Sequence, residues 1–281
     1  MTESKRVFPD LEERRLGPIR YFAGGAGEPV ALVHGLGGWA GNWRAVAPAL
    51  ARTRRVLVPE LPGHGGSEPL PDRRGRSLDP YVDAVVSVLE AEDAVPAAWV
   101  GHSLGALVGL HAAARRTASV RALVLAAAPG ISSSSRLAEA TLTTLGVLPP
   151  GRIAGRHSVR ASRSPLLRTI LFGGWGVADP RGLEPAAAQA FLDGPPQNRD
   201  TLTAGRALVA ADPRLDLERV GCPTLCLWGA CDNWVPLEDG MEYARRLRAP
   251  LRAIADCGPL LIGERPDAVV DAIDRFLLQV C

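Results

Sequence analysis

The stretch Gly101-His102-Ser103-Leu104-Gly105 decides the fold class of this 281-residue chain. It follows the apolar run Ala98–Val100 and opens the helical pattern Leu104–Ala114. A serine between two glycines at a strand-to-helix junction predicts a tight, strained turn that lifts the hydroxyl to the top of a sheet. The N–H of Leu104 would then point at a developing oxyanion. The alternative is a serine that only caps a helix after a core strand.

Other short apolar runs alternate with helical patterns along the chain, which predicts an α/β fold with a parallel sheet and crossover helices. Each run is followed by a turn containing Gly or Pro, and we expect the strands to be buried on both faces. The further strands are predicted at Pro29–Val33, Arg55–Pro59, Ala122–Ala127, Thr224–Trp228 and Leu251–Ala255, and further helices at Asp79–Glu92 and Pro266–Val280. Such sheets bind ligands beyond the carboxyl ends of their strands, so the loops that follow the strands form the candidate site.

The alternation of strands and helices breaks down between residues 131 and 199. This segment is rich in serine at its start and contains the pairs Pro149-Pro150 and Pro195-Pro196. We interpret residues 131–199 as a helical cap, or lid, inserted into a core domain made of residues 1–130 and 200–281. The densest group of basic residues lies in this cap and is interpreted as a solvated surface. That group consists of Arg152, Arg156, Arg160, Arg163 and Arg168.

The composition favours a folded protein that acts on a small molecule. Hydrophobic residues make up 47% of the chain and charged residues 22%, which is enough for a core and unlike a disordered protein. The net charge is +2 and no basic stripe alternates with aromatic residues, so we expect no nucleic-acid partner. The start of the chain lacks the apolar run of a secretory signal, and no apolar stretch of about 18 residues occurs, so we expect no membrane association.

The five cysteines all lie in the last quarter of the chain. Their odd number and their place around one apolar run favour free thiols in a reducing cytoplasm over a disulfide framework. No histidine follows them at a metal-binding spacing, and no phosphate-binding glycine loop is evident, so we expect neither a metal nor a cofactor. The sequence leaves a homodimer open.

Three further motifs accompany the serine turn. They are His34-Gly35-Leu36-Gly37-Gly38 with Trp43 downstream, Leu61-Pro62-Gly63-His64-Gly65-Gly66-Ser67, and Leu227-Trp228-Gly229-Ala230-Cys231-Asp232. Together the motifs resemble the α/β-hydrolase superfamily, in its cap-bearing esterase, haloperoxidase and C–C-hydrolase-like branch, from Arg20 to the C-terminus. The resemblance implies Ser103 as nucleophile, Asp232 as the acid of a catalytic triad, and the N–H groups of Leu36 and Leu104 as an oxyanion hole. The alternative for Asp232 is a turn or helix cap before Val235-Pro236.

The chain departs from the family pattern at the catalytic base. The family shows Cys/Ser-Gly-His-x-Pro-x-x-Glu-x-Pro before the last helix, and here the same frame runs without a gap from Cys257 to Pro266. Pro259 occupies the histidine position and Leu261 the usual proline position. Proline has no titratable group, so it can neither remove the serine proton nor return it to a leaving group.

We expect the histidines of this chain to be structural more often than catalytic. His34 is expected to buttress the oxyanion loop, and His64 lies on a neighbouring loop. His102 should point away from the Ser103 hydroxyl, and His111 should pack under the sheet. His157 lies in the cap and is the one histidine that is free to reach into the site.

Three functions remain open from the sequence. The favoured one is a non-hydrolytic enzyme (a lyase, isomerase or cyclase), because drift without function would also erode Ser103 and the oxyanion loop. The others are a weak or altered serine hydrolase with a displaced base, such as His157 or a water held by Asp232, and a ligand-binding pseudoenzyme. Tryptophans near the expected cleft favour a small apolar acyl or carbonyl substrate, such as a polyketide-like compound. The predicted pocket consists of His34, Leu36, Trp39, Trp43, His102, Leu104, His157, Trp175, Trp234 and Leu260.

Overall fold

The predicted sheet is present and is larger than the apolar runs indicate. The computed structural model describes residues 7–132, 155–174 and 176–280, so Trp175 lies outside the described residues. Within these ranges one eight-stranded sheet has the order β1-β2-β4-β3-β5-β6-β7-β8. The strands are β1 Glu12–Leu16, β2 Ile19–Gly24, β3 Pro29–Val33, β4 Arg55–Pro59, β5 Ala97–His102, β6 Val120–Ala126, β7 Thr224–Gly229 and β8 Leu251–Ile254. Along this order, the six strands β4, β3, β5, β6, β7 and β8 are all parallel to their neighbours within that group.

All six predicted strands are present, but the expectation that each is buried on both faces was wrong for β8, and two further strands at the opposite edge were not predicted. β1 and β2 form an antiparallel hairpin that joins β4, also antiparallel. The sequence of β1 is charged and exposed, so it offers no apolar signal, and its turn depends on Gly17 at φ +52°. At the other edge, β8 exposes Arg252 and Ala253. Burial on both faces holds for the central strands β3 to β7, where helices cover both sides.

Helices cover both faces of the sheet and give two hydrophobic clusters. One cluster includes Val82, Leu107 and Tyr243, and the opposite one includes Leu50 and Ile273. The described helices are α1 Ala47–Leu50, α2 Asp79–Ala91, α3 Leu104–Arg115, α4 Ser158–Arg163, α5 Pro165–Phe172, α6 Pro185–Gln197, α7 Thr201–Ala210, α8 Arg214–Leu217, α9 Leu237–Leu247, α10 Leu261–Glu264 and α11 Pro266–Val280. None of them reaches the length and apolarity that a membrane span needs.

The described part of the cap has a small hydrophobic core of its own. It lies between β6 and β7 in the chain, and side chains from α4, α5 and α6 form its cluster, including Ala161, Phe172 and Leu192. Helix α6 lies against the 3₁₀ helix Ala40–Trp43, just after the carboxyl end of β3. The cap therefore covers the edge of the sheet at which ligands bind in this architecture. Its predicted limits, residues 131 and 199, stay predictions.

Candidate active site

Ser103 adopts the strained turn that its motif predicts. Its backbone has φ 52° and ψ −115°, a conformation that non-glycine residues rarely adopt. The N–H of Ser103 donates to the carbonyl of Ala126 on β6 at 2.9 Å, which fixes the turn to the sheet. A Cβ at Gly101 would collide with the Gly105 carbonyl, and one at Gly105 would collide with the Val33 carbonyl. The Ser103 side chain makes no capping bond to α3, so helix capping does not explain the serine.

Two buried histidines hold the loop that follows β3. The His34 Nε2 accepts from the N–H of Leu61 at 3.1 Å, and its Nδ1 donates to the Gly35 carbonyl at 2.8 Å. The His64 Nε2 accepts from the N–H of Gly37 at 3.2 Å. Burial lowers the pKa of His34 to about 4 and that of His64 to about 3, so both rings are neutral at pH 7. They act as fixed acceptors for backbone N–H groups.

The same loop is also held by the cap. The Asn198 side chain donates to the Gly37 carbonyl at 2.7 Å and accepts from the N–H of Gly65 at 2.9 Å. Trp39 donates through Nε1 to the Ala190 carbonyl on α6 at 2.7 Å. With this loop fixed, the N–H groups of Leu36 and Leu104 have no backbone acceptor among the described residues. Within the described ranges both N–H groups are therefore free of backbone bonds, which the predicted oxyanion hole requires.

Asp232, the predicted triad acid, has one bonded carboxylate oxygen and one that is unbonded within the described part of the chain. Its Oδ1 accepts from the N–H groups of Trp234 at 2.9 Å and Val235 at 2.8 Å. Its Oδ2 is buried and has no donor among the described residues. Burial raises the pKa of Asp232 to about 6, against these two hydrogen bonds. The turn before Val235-Pro236, which the sequence offers as the alternative role of Asp232, is therefore present. It uses Oδ1 only and leaves Oδ2 without a partner in the described ranges.

Pro259 lies in a loop that is fixed on both sides. The Glu264 carboxylate accepts from the N–H of Gly258 at 2.6 Å through Oε2 and from the N–H of Ala178 at 2.7 Å through Oε1. The N–H of Cys231, next to Asp232, donates to the Cys257 carbonyl at 2.8 Å. Residue 259 is therefore held between the acid loop and the cap, where the sequence frame places the base.

His102 is directed at the loop of the missing base rather than at the serine hydroxyl. Its Nε2 donates to the Pro259 carbonyl at 2.8 Å, and the ring lies against Gly35. Burial lowers the pKa of His102, and the Pro259 carbonyl partly offsets this effect. The imidazole next to Ser103 therefore fastens the 259 loop to the end of β5, in agreement with the expectation that it points away from the hydroxyl.

The remaining histidines have different surroundings. His111 bridges two helices, with its Nδ1 at 2.6 Å from Asp216 and its Nε2 at 3.0 Å from Asp79. Burial opposes a charge on His111, but the two carboxylates raise its pKa above the ordinary value. His157 is exposed and precedes α4 on the cap, among arginines.

The structure separates the predicted pocket residues into two groups. Trp43 was wrong as a pocket residue, because it has no exposed surface and fills the core beneath the loop. His34 is equally buried and supports the loop from behind. Leu36, Trp234 and Leu260 are half-buried and remain available to a ligand, and the N–H of Leu260 donates to the Gly176 carbonyl of the cap. Two residues that fix the loops of the candidate site, Asn198 and Glu264, were not predicted from the sequence. The place of Glu264 in the motif before the last helix is the one sequence signal that could have indicated its role.

The buried charge of Asp232 gives a testable effect on stability. The folded-state pKa of about 6 exceeds the ordinary value, so the stabilisation from proton uptake is present at low pH and lost as pH rises through 6. We expect Asp232→Asn to raise the free energy of unfolding at pH 8 by about 1–3 kcal/mol and to change it little at pH 4. Denaturant unfolding at both pH values measures this. Asp83→Asn, at an exposed ion pair with Arg116, is the matched control, and an equal effect of Asp232→Asn at both pH values would contradict the assignment.

Comparison with known proteins places this geometry in a family. The chain matches the model of the alpha/beta hydrolase family over residues 30–272. It is 42% identical over 271 residues to 2-hydroxymuconate semialdehyde hydrolase of Pseudomonas sp. (strain CF600), across 91% of this chain and 88% of that protein. It is 33% identical over 223 residues to pimeloyl-[acyl-carrier protein] methyl ester esterase of Methylococcus capsulatus, across 79% of this chain and 83% of that protein.

A solved structure gives the same result for the fold. The crystal structure of E-2-(acetamidomethylene)succinate hydrolase superposes with a TM-score of 0.77 at 18% identity, covering 95% of this chain and 99% of that chain. At this identity the likeness concerns the fold alone. The fold class and the resemblance inferred from the serine turn are confirmed: the chain belongs to the alpha/beta hydrolase family.

Proposed function

We propose that this protein is an enzyme that polarises the carbonyl of a small apolar acyl or carbonyl compound without following the serine-hydrolase route. The observation that carries the proposal is the unpartnered Oδ2 of Asp232 beside a loop that presents Pro259. In a working triad that oxygen accepts the Nδ1–H of the catalytic histidine and holds its tautomer. Here the acid is held in place, and the group it would orient is absent.

No described histidine near the elbow is free to take over the proton transfer. His34 and His64 are neutral and bonded to the oxyanion loop, and His102 is bonded to the Pro259 carbonyl. Serine is a weak nucleophile without an adjacent base. In a serine protease, removal of the triad histidine lowers kcat by about 10⁶, or roughly 8 kcal/mol of barrier. A loss of that size removes acyl-enzyme chemistry at any ordinary rate.

The groups that remain suit reactions that pass through an enolate or an oxyanion. The N–H groups of Leu36 and Leu104 would donate to the carbonyl oxygen as negative charge develops on it, and the Ser103 hydroxyl would donate a further hydrogen bond. Such preorganised donors contribute about 3–4 kcal/mol each in other enzymes. A lyase, isomerase or cyclase reaction of a substrate with an acidic Cα–H needs this stabilisation and no covalent acyl-enzyme. The Cα proton would pass to the free Oδ2 of Asp232, whose pKa of about 6 suits a base at neutral pH.

Hydrolysis with a displaced base is the second candidate. It is favoured by the two relatives, which are both hydrolases, and by Asp232, whose pKa of about 6 suits a general base at neutral pH. In this candidate a water bridges Asp232 and Ser103; His157, the other base considered from the sequence, lines a separate pocket in the cap instead. Turnover of esters then depends on the Ser103 hydroxyl.

An ester assay separates the two candidates. We expect the wild type to hydrolyse p-nitrophenyl acetate no more than about tenfold faster than Ser103→Ala, because no base activates the hydroxyl. Ordinary esterase turnover that Ser103→Ala abolishes would replace the proposal by the displaced-base hydrolase. Exchange of the Cα protons of a 1,3-diketone in D₂O, followed by NMR, tests enolate stabilisation directly. A protein that neither hydrolyses nor exchanges but binds the diketone would be the pseudoenzyme considered from the sequence.

A further inference from the structure

The cap carries a second concave site that is separate from the elbow and the acid loop. Its volume is about 570 Å³, and its described lining comes from α4 and the residues that flank it. The lining residues are Arg156, His157, Val159, Arg160, Arg163 and Ser164. The volume is in the range of sites that hold small molecules. None of the residues of the oxyanion loop, the elbow or the loop of Pro259 contributes to it.

The three arginines of this pocket form no ion pair with a carboxylate of the described residues, a state they share with exposed arginines elsewhere such as Arg52 and Arg219. The sequence contains no Asp or Glu from residue 140 to residue 178, so α4 has no local counter-charge. Arg168 of the same cluster is different, since it is buried and donates to three backbone carbonyls.

The positions of these residues concentrate the charge on one face. Arg160 and Arg163 are three residues apart on the exposed side of α4, and the exposed Arg156 lies just before the helix. The opposite side of the helix is buried in the cap through Ser158, Ala161 and Ser162. The cost of bringing three like charges together is recovered when an anion binds between them. A solvated surface, which the sequence alone favoured, does not explain why these charges line a concave site.

We propose that this cap pocket binds the diphosphate end of a phosphorylated small molecule. Guanidinium groups match phosphate oxygens through paired N–H donors, and three of them suit a group that carries two or more negative charges. Val159, whose side chain is 41% exposed, provides an apolar contact for an organic part next to the phosphates. The proposal concerns binding alone and is independent of the chemistry at Ser103.

Calorimetric titration with pyrophosphate and with ADP at low ionic strength tests the site. We expect the wild type to bind both, with ADP tighter than pyrophosphate because of its organic part. Arg160→Ala and Arg163→Ala should each weaken binding about tenfold, and Arg160→Lys should fall between wild type and Arg160→Ala because it keeps the charge and loses the planar donor pair. The matched control is Arg219→Ala, at an exposed arginine of the core domain, which should leave binding unchanged.

Three results would overturn the proposal. One is the absence of pyrophosphate and ADP binding to the wild type at millimolar concentration. Another is unchanged binding in the Arg156→Ala, Arg160→Ala, Arg163→Ala triple variant, which would place the anion elsewhere. The third is binding of an acidic peptide without binding of either phosphate compound, which would make α4 a protein-docking surface. All three arginines are exposed, so the variants should keep the fold, and circular dichroism verifies this.

Discussion

Pro259→His should create esterase activity that depends on Ser103. We expect kcat/KM for p-nitrophenyl acetate to rise about 10³–10⁵-fold over the wild type, most of the roughly 10⁶-fold that a triad histidine contributes to turnover in a protease. The reason lies in Asp232, because its free Oδ2 is the acceptor that an imidazole Nδ1–H at position 259 needs. The turn at Ser103 is already in place, and the N–H groups of Leu36 and Leu104, the proposed oxyanion donors, have no backbone acceptor among the described residues. Full recovery is not expected, since Leu261 replaces the proline that the family shows in this loop.

Two further variants show whether the new activity comes from a restored triad. Pro259→Ala removes the proline ring without adding a base and should stay at the wild-type rate. Pro259→His combined with Ser103→Ala should lose the gain. The rate of Pro259→His should rise with pH through the pKa of the new histidine, near its ordinary value of about 6.5. A folded Pro259→His protein no faster than Pro259→Ala would show that Asp232 and Ser103 are not aligned through position 259.

Glu60→Ala should cause the largest loss of stability among the predicted substitutions. The Glu60 carboxylate is fully buried and accepts from the Arg20 guanidinium at 2.7 and 2.9 Å, from the N–H of Ala40 at 3.2 Å and from the N–H of Gly66 at 2.6 Å. Its removal leaves a largely buried cation and two N–H donors unpaired. We expect the free energy of unfolding to fall by about 3–5 kcal/mol, as for other broken buried ion pairs.

A matched pair of variants places this effect in context. Glu68→Ala removes an exposed carboxylate whose ion pair with Arg199 lies at the surface, and it should cost less than about 1 kcal/mol. Glu60→Asp keeps the charge with a shorter side chain, so its loss should fall between the two. Urea unfolding measures all three. Equal losses for Glu60→Ala and Glu68→Ala would show that the buried network does not stabilise the fold.

Because Ala40 follows the oxyanion loop, Glu60→Ala should also reduce the esterase gain of Pro259→His.

The parts of the fold that the sequence predicts are those with strong local signals. The central strands show unbroken apolar runs, and the serine turn needs Gly101 and Gly105 for steric reasons that act within a few residues. β1 gives no such signal, since it pairs on one side only and its charged side chains face solvent. Trp43 was misassigned because apolarity alone does not tell a core residue from a pocket residue.

The contacts that arrange the site were beyond sequence reasoning because they join distant segments. Asn198 meets Gly37 across 161 positions and His102 meets Pro259 across 157. No periodicity or motif encodes such a pair. The replacement of the family's histidine by Pro259 could be inferred from the sequence because the motif from Cys257 to Pro266 has no gap. The sequence could not predict that Oδ2 of Asp232 has no hydrogen-bond partner among the described residues, which is the structural consequence of that replacement.

The Glu264 carboxylate links two parts of the molecule that could otherwise move separately. One oxygen holds Gly258, next to Pro259, and the other holds the N–H groups of Ala178 and Asp179 in the cap. Lifting this corner of the cap therefore breaks bonds to the same side chain that positions residue 259. Any catalytic group placed at position 259 would therefore depend for its alignment on a side chain that also anchors the cap.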